Sequence, residues 1–435
     1  NSYTGPTIIS AGTLQIGTAT TGSVAGAYYM NGGNLNFART DSYSVSNVVR
    51  GGTGTVTKSG AGTLTLTSAN TYQSGTSISA GTLQLNNAKA AQNSVVTISA
   101  TNGLAFGTGI GNFTLQALSG SSNEALTDTG ANAVTLTLGS WRNNGSNTYS
   151  GILSGVGGGI TKIGKDTQVL SGANTFTGPV IIRGGTITGA TPTGTTPVGT
   201  GAITLRGGTL GLAPTGTGSA IAYTGASVAT GTKFTYGGNS TLSLNRGTQT
   251  SLTFTAGNVG EAGSVLAREG NGTLMIRSTG SEITGSLGTD EKFLVTGTAP
   301  ATNNGMVNPS IVVISSPTGT LTNLTSSTSS ATVTSAAATL PSGLVPGSFQ
   351  GSSLLGQRVT AISGTSGSWT ITLAGNANAN LTGGSSVFTS LGTYGNFVTY
   401  DNTNGFTSAA ASYTSRSGSI AAATTSASEI TSLTG

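Results

Sequence analysis

The sequence contains no cysteine and no histidine among its 435 residues. Without cysteine the chain has no disulfide, no thiol nucleophile and no thiolate metal site. Without histidine it lacks the commonest acid–base catalyst and the commonest transition-metal ligand. These absences remove thiol and imidazole chemistry. We also predict that the protein has no metal site and no cofactor, and that it is not an enzyme, because its few acidic residues are not collected with Lys or Arg as in the cleft of a β-helix lyase or glycosidase.

Charge is also scarce, because Asp, Glu, Lys and Arg make up 6% of the residues, against about 25% in ordinary globular proteins. The net charge is +5. The lysines and arginines are scattered singly, without a basic track that could follow a phosphate backbone. Disordered chains combine high net charge with few β-branched residues, whereas Thr, Val and Ile are plentiful here. We predict an ordered β protein with a neutral polar surface that does not bind nucleic acid.

Long apolar runs are missing, since none reaches the roughly 18 residues of a membrane-spanning helix. No membrane insertion is therefore expected from this segment. Helical periodicity is rare as well, because glycine, with 71 residues, recurs too often along the chain. The chain begins with Asn1 and not with Met, so we expect this end to be processed or trimmed.

What the sequence does contain is a repeat. The motif Ala-Gly-Thr-Leu-Gln occurs at 11–15 and again at 80–84. The longer segments 56–86 and 160–190 align without a gap, and Lys58 of the one meets Lys162 of the other. Half copies lie at 1–17 and 268–276.

The aligned glycine, apolar, asparagine and aromatic positions are our candidates for the structural repeat. They are Gly60, Gly62, Leu64, Leu66, Asn70, Tyr72, Ile78, Gly81, Leu83 and Leu85 in one copy, and Gly164, Leu170, Asn174, Phe176, Ile182 and Gly185 in the other.

Each copy alternates apolar and polar residues with period two, as in Thr63-Leu64-Thr65-Leu66, which is typical of half-buried strands. A unit of about 27 residues with three short strands cannot bury its apolar face alone, and stacked copies would bury a continuous column. Asparagine suits stacked polar turns. We predict an all-β, right-handed parallel β-helix (β-solenoid), with its hand taken from crossover chirality. An antiparallel sandwich is the alternative.

Residues 60–86 resemble the autotransporter passenger-associated β-strand repeat, which reads roughly Gly-x-Gly-Thr-Leu-x-Leu-x-Gly-x-Asn-Thr-Tyr-x-Gly-x-Thr-x-Ile-x-x-Gly-Thr-Leu. Residues 164–187 match it less closely, departing at Lys165, Asp166 and Gln168. Residues 1–17 match its second half. The resemblance covers under a quarter of the chain. It implies an extracellular or bacterial cell-surface β-helix, and it explains the missing cysteines because passengers cross a narrow pore unfolded.

The texture of the sequence changes near residue 300. We predict a β-solenoid over 1–300, followed over 301–435 by a smaller Ser/Thr-rich β module and closing solenoid strands. Two alternating runs around Gly-Thr-Ser-Gly predict a β-hairpin at 358–375. The aromatic cluster within 392–406 is interpreted as a packed strand, with glycan binding as the alternative.

The two ends of the chain fit one another. Leu433-Thr434-Gly435 followed by residues 1–6 reads like 170–179, as though the C-terminus supplied the first half of a repeat. This match predicts either head-to-tail self-association, which makes a filament when it does not close, or neighbouring repeats of a longer chain.

Carboxylates that are close in sequence are the remaining candidates for chemistry. Glycosidases need two of them about 5–10 Å apart, and the pairs Glu124/Asp128 and Glu261/Glu269 are the nearest approach to that pattern. Our first hypothesis is a structural subunit or segment of a bacterial surface fibre, filament or matrix. The alternatives are an adhesin that binds carbohydrate or neighbouring surfaces, and a polysaccharide lyase or glycosidase on a β-helix.

Overall fold

The computed structural model describes residues 3–73, 75–139, 145–192, 196–226, 233–257, 265–278, 287, 290–300, 302–303, 306–307, 310–314, 318–337, 359–373, 376, 380–389 and 398–408. Every regular element in these ranges is a β-strand, so the predicted all-β class is confirmed. None of these residues belongs to a helix long and apolar enough to cross a membrane.

In chain order, the strands up to residue 189 are β1 (Thr7–Ile9), β2 (Thr13–Ile16), β3 (Tyr28–Asn31), β4 (Asn34–Phe37), β5 (Tyr43–Val45), β6 (Val49–Thr53), β7 (Val56–Lys58), β8 (Thr63–Leu66), β9 (Thr76–Ile78), β10 (Thr82–Leu85), β11 (Ala91–Ile98), β12 (Leu104–Phe106), β13 (Asn112–Gly120), β14 (Glu124–Ala125), β15 (Thr135–Leu138), β16 (Ser146–Tyr149), β17 (Leu153–Ser154), β18 (Gly159–Lys162), β19 (Thr167–Leu170), β20 (Val180–Ile182) and β21 (Thr186–Gly189). The strands after residue 189 are β22 (Ile203–Arg206), β23 (Thr209–Leu212), β24 (Ala220–Gly225), β25 (Phe234–Leu244), β26 (Ser251–Ala256), β27 (Leu266–Ser278), β28 (Glu291–Val295), β29 (Thr302–Asn303), β30 (Met306–Val307), β31 (Ile311–Ile314), β32 (Thr318–Ser326), β33 (Thr332–Ser335), β34 (Val359–Thr365), β35 (Ser368–Leu373), β36 (Leu381–Thr389), β37 (Val398–Asp401) and β38 (Gly405–Ser408).

The described residues divide into two compact units. The first runs to Leu274 and resumes for Phe293–Thr298, whereas the second comprises Met275–Lys292 and the described residues from Ala299 onward. The chain passes for the last time from the first unit to the second between Thr298 and Ala299, which is close to the predicted boundary at residue 300.

Strands of the first unit pair in parallel with strands further along the chain. Leu64 pairs with Leu83, nineteen residues later. Most other steps are 19–24 residues long, and Ile203 pairs with Phe234 where the intervening chain is longer. We call one such step a coil. Because these pairings are parallel, the antiparallel sandwich is wrong for this unit.

The parallel strands form several sheets. The smaller ones have the strand orders β1-β3-β6, β12-β10-β8-β5, β14-β17 and β24-β26-β28. The largest sheet closes on itself, and within the first unit it includes β2, β4, β7, β9, β11, β13, β15, β16, β18 to β23 and β25.

Inward side chains stack in columns because paired strands place like residues on like. One column, in which every side chain is fully buried, consists of Phe113, Leu136, Ile160, Val180, Ile203 and Phe234. Burying one such side chain stabilises a fold by about 1.5–3 kcal/mol. The columns form the core that the sequence predicts.

Each sequence repeat spans about one and a half coils. The three strands predicted in the first copy are present as β8, β9 and β10, but β8 and β10 stack on one another, with Leu66 on Leu85. The pattern Thr-Leu-x-Leu therefore occurs twice within one copy, at Thr63–Leu66 and Thr82–Leu85, and these two strands are neighbours in the same sheet.

The second unit contains a five-stranded sheet with the order β34-β35-β33-β32-β36. β34 and β35 pair antiparallel, which confirms the hairpin predicted at 358–375. β37 and β38 form another antiparallel pair, in which Phe406 is fully buried with its ring centroid 4.8 Å from that of Tyr400. The closing solenoid strands expected in 301–435 stay a prediction.

Several predictions concern residues outside the described ranges. These residues include Asn1 and Leu433-Thr434-Gly435, whose mutual fit stays a prediction. Glu261 also lies outside those ranges, so its proximity to Glu269 is untested.

Candidate functional site

The apolar repeat positions point into the core. At most 1% of the surface of each residue is exposed, and they are Leu64, Leu66, Ile78, Leu83, Leu85, Leu170 and Ile182. These side chains pack in the core, so none of them lies on a surface that a ligand could contact.

The two repeat asparagines bridge three successive coils. Asn70 Oδ1 accepts a hydrogen bond from the Val49 N–H at 2.8 Å, and its Nδ2 donates to the Ala90 carbonyl at 2.8 Å. Asn174 is equally buried, and its Oδ1 accepts from the Leu153 N–H at 2.8 Å. Its Nδ2 donates to a carbonyl of the following coil, that of Pro197, at 2.6 Å. A neutral amide carries its acceptor oxygen and its donor nitrogen on separate atoms, so it can bond an N–H of one coil and a carbonyl of another at the same time.

The repeat aromatics are also buried, in two chemical versions. The Tyr72 hydroxyl lies 2.8 Å from Thr76 Oγ1, which lies 2.8 Å from Ser94 Oγ. Burial raises the pKa of Tyr72 to about 12. In the second copy Phe176 replaces the tyrosine and Val180 replaces the threonine, and both are fully buried. The hydroxyl and its partner are thus present together or absent together.

The repeat glycines lie where the backbones of adjacent coils come close. A Cβ on Gly60 would overlap the Arg39 carbonyl oxygen, and one on Gly62 would overlap that of Asp41. Gly81 and Gly185, which align with each other, both have φ of +63°, a conformation that glycine adopts without steric cost. Gly164 also has positive φ.

Lys58 occupies an inward position between Phe37 and Ile78 of adjacent strands. Only 2% of the residue surface is exposed. Its ammonium group donates to the carbonyl oxygens of Gly60 and Ala80. Burial lowers the pKa of Lys58. This burial is not predicted from the sequence, in which its one signal is the recurrence of lysine at the aligned position.

Lys162, at that aligned position, forms a fully buried ion pair. Its Nζ lies 2.7 Å from Asp166 Oδ1 and donates to the Ile163 carbonyl at 2.6 Å. Burial lowers the pKa of Lys162, and Asp166 opposes that shift. Asp166 takes the place of Gly62, so this departure from the repeat pattern supplies an anion to a lysine that otherwise has only carbonyl partners.

Gln168 is another departure from the pattern. Its side chain forms hydrogen bonds with a stretch of β13 that has no partner strand on that side. The pairing of β13 with β15 ends at Leu115, and pairing with β16 begins only at Gly120. Between them, the backbone N–H of Leu118 donates to Gln168 Oε1 at 2.9 Å, and Gln168 Nε2 donates to the Leu118 carbonyl at 3.0 Å. A leucine in place of Gln168 could form neither bond.

The carboxylates Glu124 and Asp128 are both engaged by backbone groups. Glu124 is buried, accepts from the Leu104 N–H at 3.2 Å, and has its pKa raised by burial to about 7. Asp128 accepts from the N–H groups of Gly109, Gly130 and Asn132 at 2.8–2.9 Å. These amides, with Gly109 first, lower the pKa of Asp128 to about 2.

Elsewhere in the first unit, Glu269 is paired with Arg206 at 2.7 Å on the surface. In the ranges that the structure describes, no three side chains of His, Cys, Asp or Glu converge as a metal site would require.

The copies of the repeat are also the part of the chain in which comparison with known families finds a match. A family model described as the passenger-associated-transport-repeat matches residues 1–16, 56–85 and 160–188. Each of these three segments is similar to the passenger-associated-transport-repeat. The resemblance to an autotransporter passenger repeat is thereby confirmed. The family implies a secreted or cell-surface location.

The matched segments follow the strands closely. The passenger repeat at 56–85 begins with β7 and ends with β10, and the one at 160–188 runs from β18 into β21. The match at 1–16 contains β1 and β2, the counterparts of the second half. No curated protein and no solved structure matches the chain.

Proposed function

We propose that the first unit is a right-handed parallel β-solenoid that acts as a structural segment of a bacterial surface or secreted passenger, without catalytic activity. The observation that carries this proposal is the stacking of like residues on like in successive parallel coils, tied by Asn70 and Asn174. The repeat residues serve in core packing, in the close approach of adjacent backbones, and in hydrogen bonds to backbone groups or to buried hydroxyls. A scaffold needs a regular core and a polar exterior, and the low charge of the chain suits such an exterior.

Self-association is part of the proposal. The terminal coils of a solenoid present unpaired backbone groups, which pair with another strand when one is available. The partner would be a second copy, giving a fibre, filament or matrix, or the neighbouring repeats of a longer chain. An adhesin remains the alternative.

Cysteine pairs test the solenoid directly, because the native chain has no cysteine. Thr65 pairs with Gln84 across adjacent coils on the outer face. Parallel neighbours are about 4.8 Å apart, and disulfides form between Cα atoms about 4.4–6.8 Å apart. We expect Thr65→Cys with Gln84→Cys to form an intramolecular disulfide in the native protein.

Thr65→Cys with Thr82→Cys is the matched control, because Thr82 is two residues out of register with Thr65 and lies about 8 Å from it. Mass spectrometry of the oxidised proteins distinguishes the two pairs. Equal cross-linking of both pairs, or none of either, would contradict the parallel stack.

Negative-stain microscopy with analytical ultracentrifugation tests the structural role. We expect uniform fibres or concentration-dependent oligomers from purified protein. A population of dispersed monomers at all concentrations would overturn the self-association and leave the solenoid itself to the cysteine experiment.

A further inference from the structure

An open groove of about 480 Å³ crosses three successive coils of the first unit. Its lining residues are Tyr29, Val48, Arg50, Gly51, Ala69, Thr71 and Gln73. Tyr29 of β3 pairs with Arg50 of β6. The Gln73 N–H donates to the Gly51 carbonyl at 3.0 Å, which places the third coil beside the second.

The outer face beside this groove carries unusual apolar exposure. The large apolar side chains that are exposed in the described ranges are Tyr3, Ile8, Tyr29 and Val156. Ile8 and Tyr29 are direct partners in the β1–β3 ladder, with 63% and 44% of their surface exposed. The flat ring of Tyr29 is thus open to solvent at one end of the groove.

Arg50 supplies an unused positive charge at the centre of the groove. It is exposed, and no described residue forms an ion pair or a hydrogen bond with its guanidinium group. Arg39 and Arg206 of the same unit are instead bonded to Asp41 and Glu269. The side chains of Thr71 and Gln73 likewise form no hydrogen bond within the described part of the chain.

We propose that this groove binds an acidic polysaccharide, a chain of sugars that carry carboxylates. The exposed ring of Tyr29 offers a flat apolar surface with a polar tip for the apolar face of a sugar ring. Arg50 presents a planar fork of donors that fits a carboxylate with two parallel bonds. Thr71 and Gln73 both donate and accept, as sugar hydroxyls require. This site is independent of the scaffold function proposed above.

Other polymers fit the groove less well. β3 is paired on both sides, with β1 and β6, so it has no free edge to which a peptide strand could add. A single arginine neutralises too little charge to hold a nucleic acid backbone, which needs several cationic contacts.

The experiment is calorimetric titration of the purified protein with hexagalacturonate, and with the same hexasaccharide after its carboxyl groups are reduced to alcohols. We expect saturable binding of the acid, at least tenfold weaker binding of the reduced form, and weaker binding of the acid as salt increases. Arg50→Gln should lower affinity for the acid at least tenfold and remove most of the preference over the reduced form.

Two further variants separate stacking from folding. Tyr29→Ala should lose at least fivefold in affinity, whereas Tyr29→Phe, which keeps the ring, should lose less than twofold. Arg183→Gln is the matched control, because it removes an exposed arginine of the same unit outside the groove. Its affinity should equal that of the native protein.

No saturable binding of hexagalacturonate by native protein would overturn the proposal, as would equal affinity in the Arg50→Gln and Arg183→Gln variants. Fibre formation measured in the same samples reports on the scaffold separately, and Arg50→Gln should leave it unchanged.

Discussion

Gln168 hydrogen-bonds both backbone polar groups of Leu118, fifty residues earlier in the chain, at 2.9 and 3.0 Å. Its amide nitrogen also donates to the Asn147 carbonyl at 3.2 Å. A residue that breaks the repeat pattern therefore closes a gap that the longer coil between β13 and β16 leaves in the ladder.

Gln168→Leu should destabilise the first unit although it brings the sequence closer to the passenger repeat. A buried backbone group left without a partner costs about 1–3 kcal/mol, and two groups of Leu118 would lose theirs. Hydrogen exchange followed by mass spectrometry should show faster exchange in peptides that contain Leu118. Gln84→Leu, on the half-exposed outer face, is the control and should change little. Unchanged or slower exchange in Gln168→Leu would contradict this role.

Asn70→Asp should make stability depend on pH. The carboxylate still accepts from the Val49 N–H but faces the Ala90 carbonyl without a donor, so the buried charge is disfavoured and its pKa rises above the unfolded value. A raised folded pKa means that stability falls as pH rises through that range. We expect a lower melting temperature than native protein at pH 8 and a smaller difference at pH 4. Asn70→Ala should show a deficit that does not vary with pH, and the same constant deficit in Asn70→Asp would refute the argument.

The tyrosine–threonine and phenylalanine–valine pairs should be exchangeable only as pairs. Phe176→Tyr places a buried hydroxyl against Val180, at a cost of about 1–3 kcal/mol for an unsatisfied group. Adding Val180→Thr provides the partner that Thr76 gives Tyr72, so part of the loss should return. A double-mutant cycle on the denaturation midpoint measures this coupling. Strictly additive effects would show that the hydroxyls do not interact.

Glu124 should make the native protein less stable as pH rises. Burial raises its pKa from the usual value near 4.5 to about 7, so the folded state holds a proton that the unfolded state releases between these values. The contribution of Glu124 to stability is therefore fully present below about pH 4.5 and is lost as the pH rises to about 7. Glu124→Gln keeps an acceptor for the Leu104 N–H and should raise the melting temperature at pH 8 but not at pH 4.5.

Glu269→Gln is the control, because we expect it to lower the melting temperature at pH 8, whereas Glu124→Gln should raise it. The bond from Arg206 lowers the pKa of Glu269, so this exposed pair helps the fold, modestly, only above that pKa. Equal pH profiles for native protein and Glu124→Gln would show that Glu124 is not protonated in the folded state.

Alternation around Leu64 and Leu83 predicts stacked parallel strands because like residues bury each other best in register. The number of residues in one coil is harder to predict. Aligning the two copies gives the distance between copies along the sequence, whereas one coil is the shorter step from a strand to its partner within a copy, as from Leu64 to Leu83. The burial of Lys58 contradicts the general exposure of lysine. The groove beside Tyr29 and Arg50 depends on residues from three coils, which no local pattern brings together.

The mismatch between sequence repeat and coil also limits how such a chain can lengthen. Duplicating the thirty residues 56–85 would rotate every later strand by about half a circuit, so that strands of one sheet would arrive at the position of another. Duplicating residues 63–81, the nineteen-residue step from β8 to β10, would keep each later strand in the sheet that it occupies now. We therefore expect insertions and deletions in such a chain to have the length of one coil and not the length of one sequence repeat.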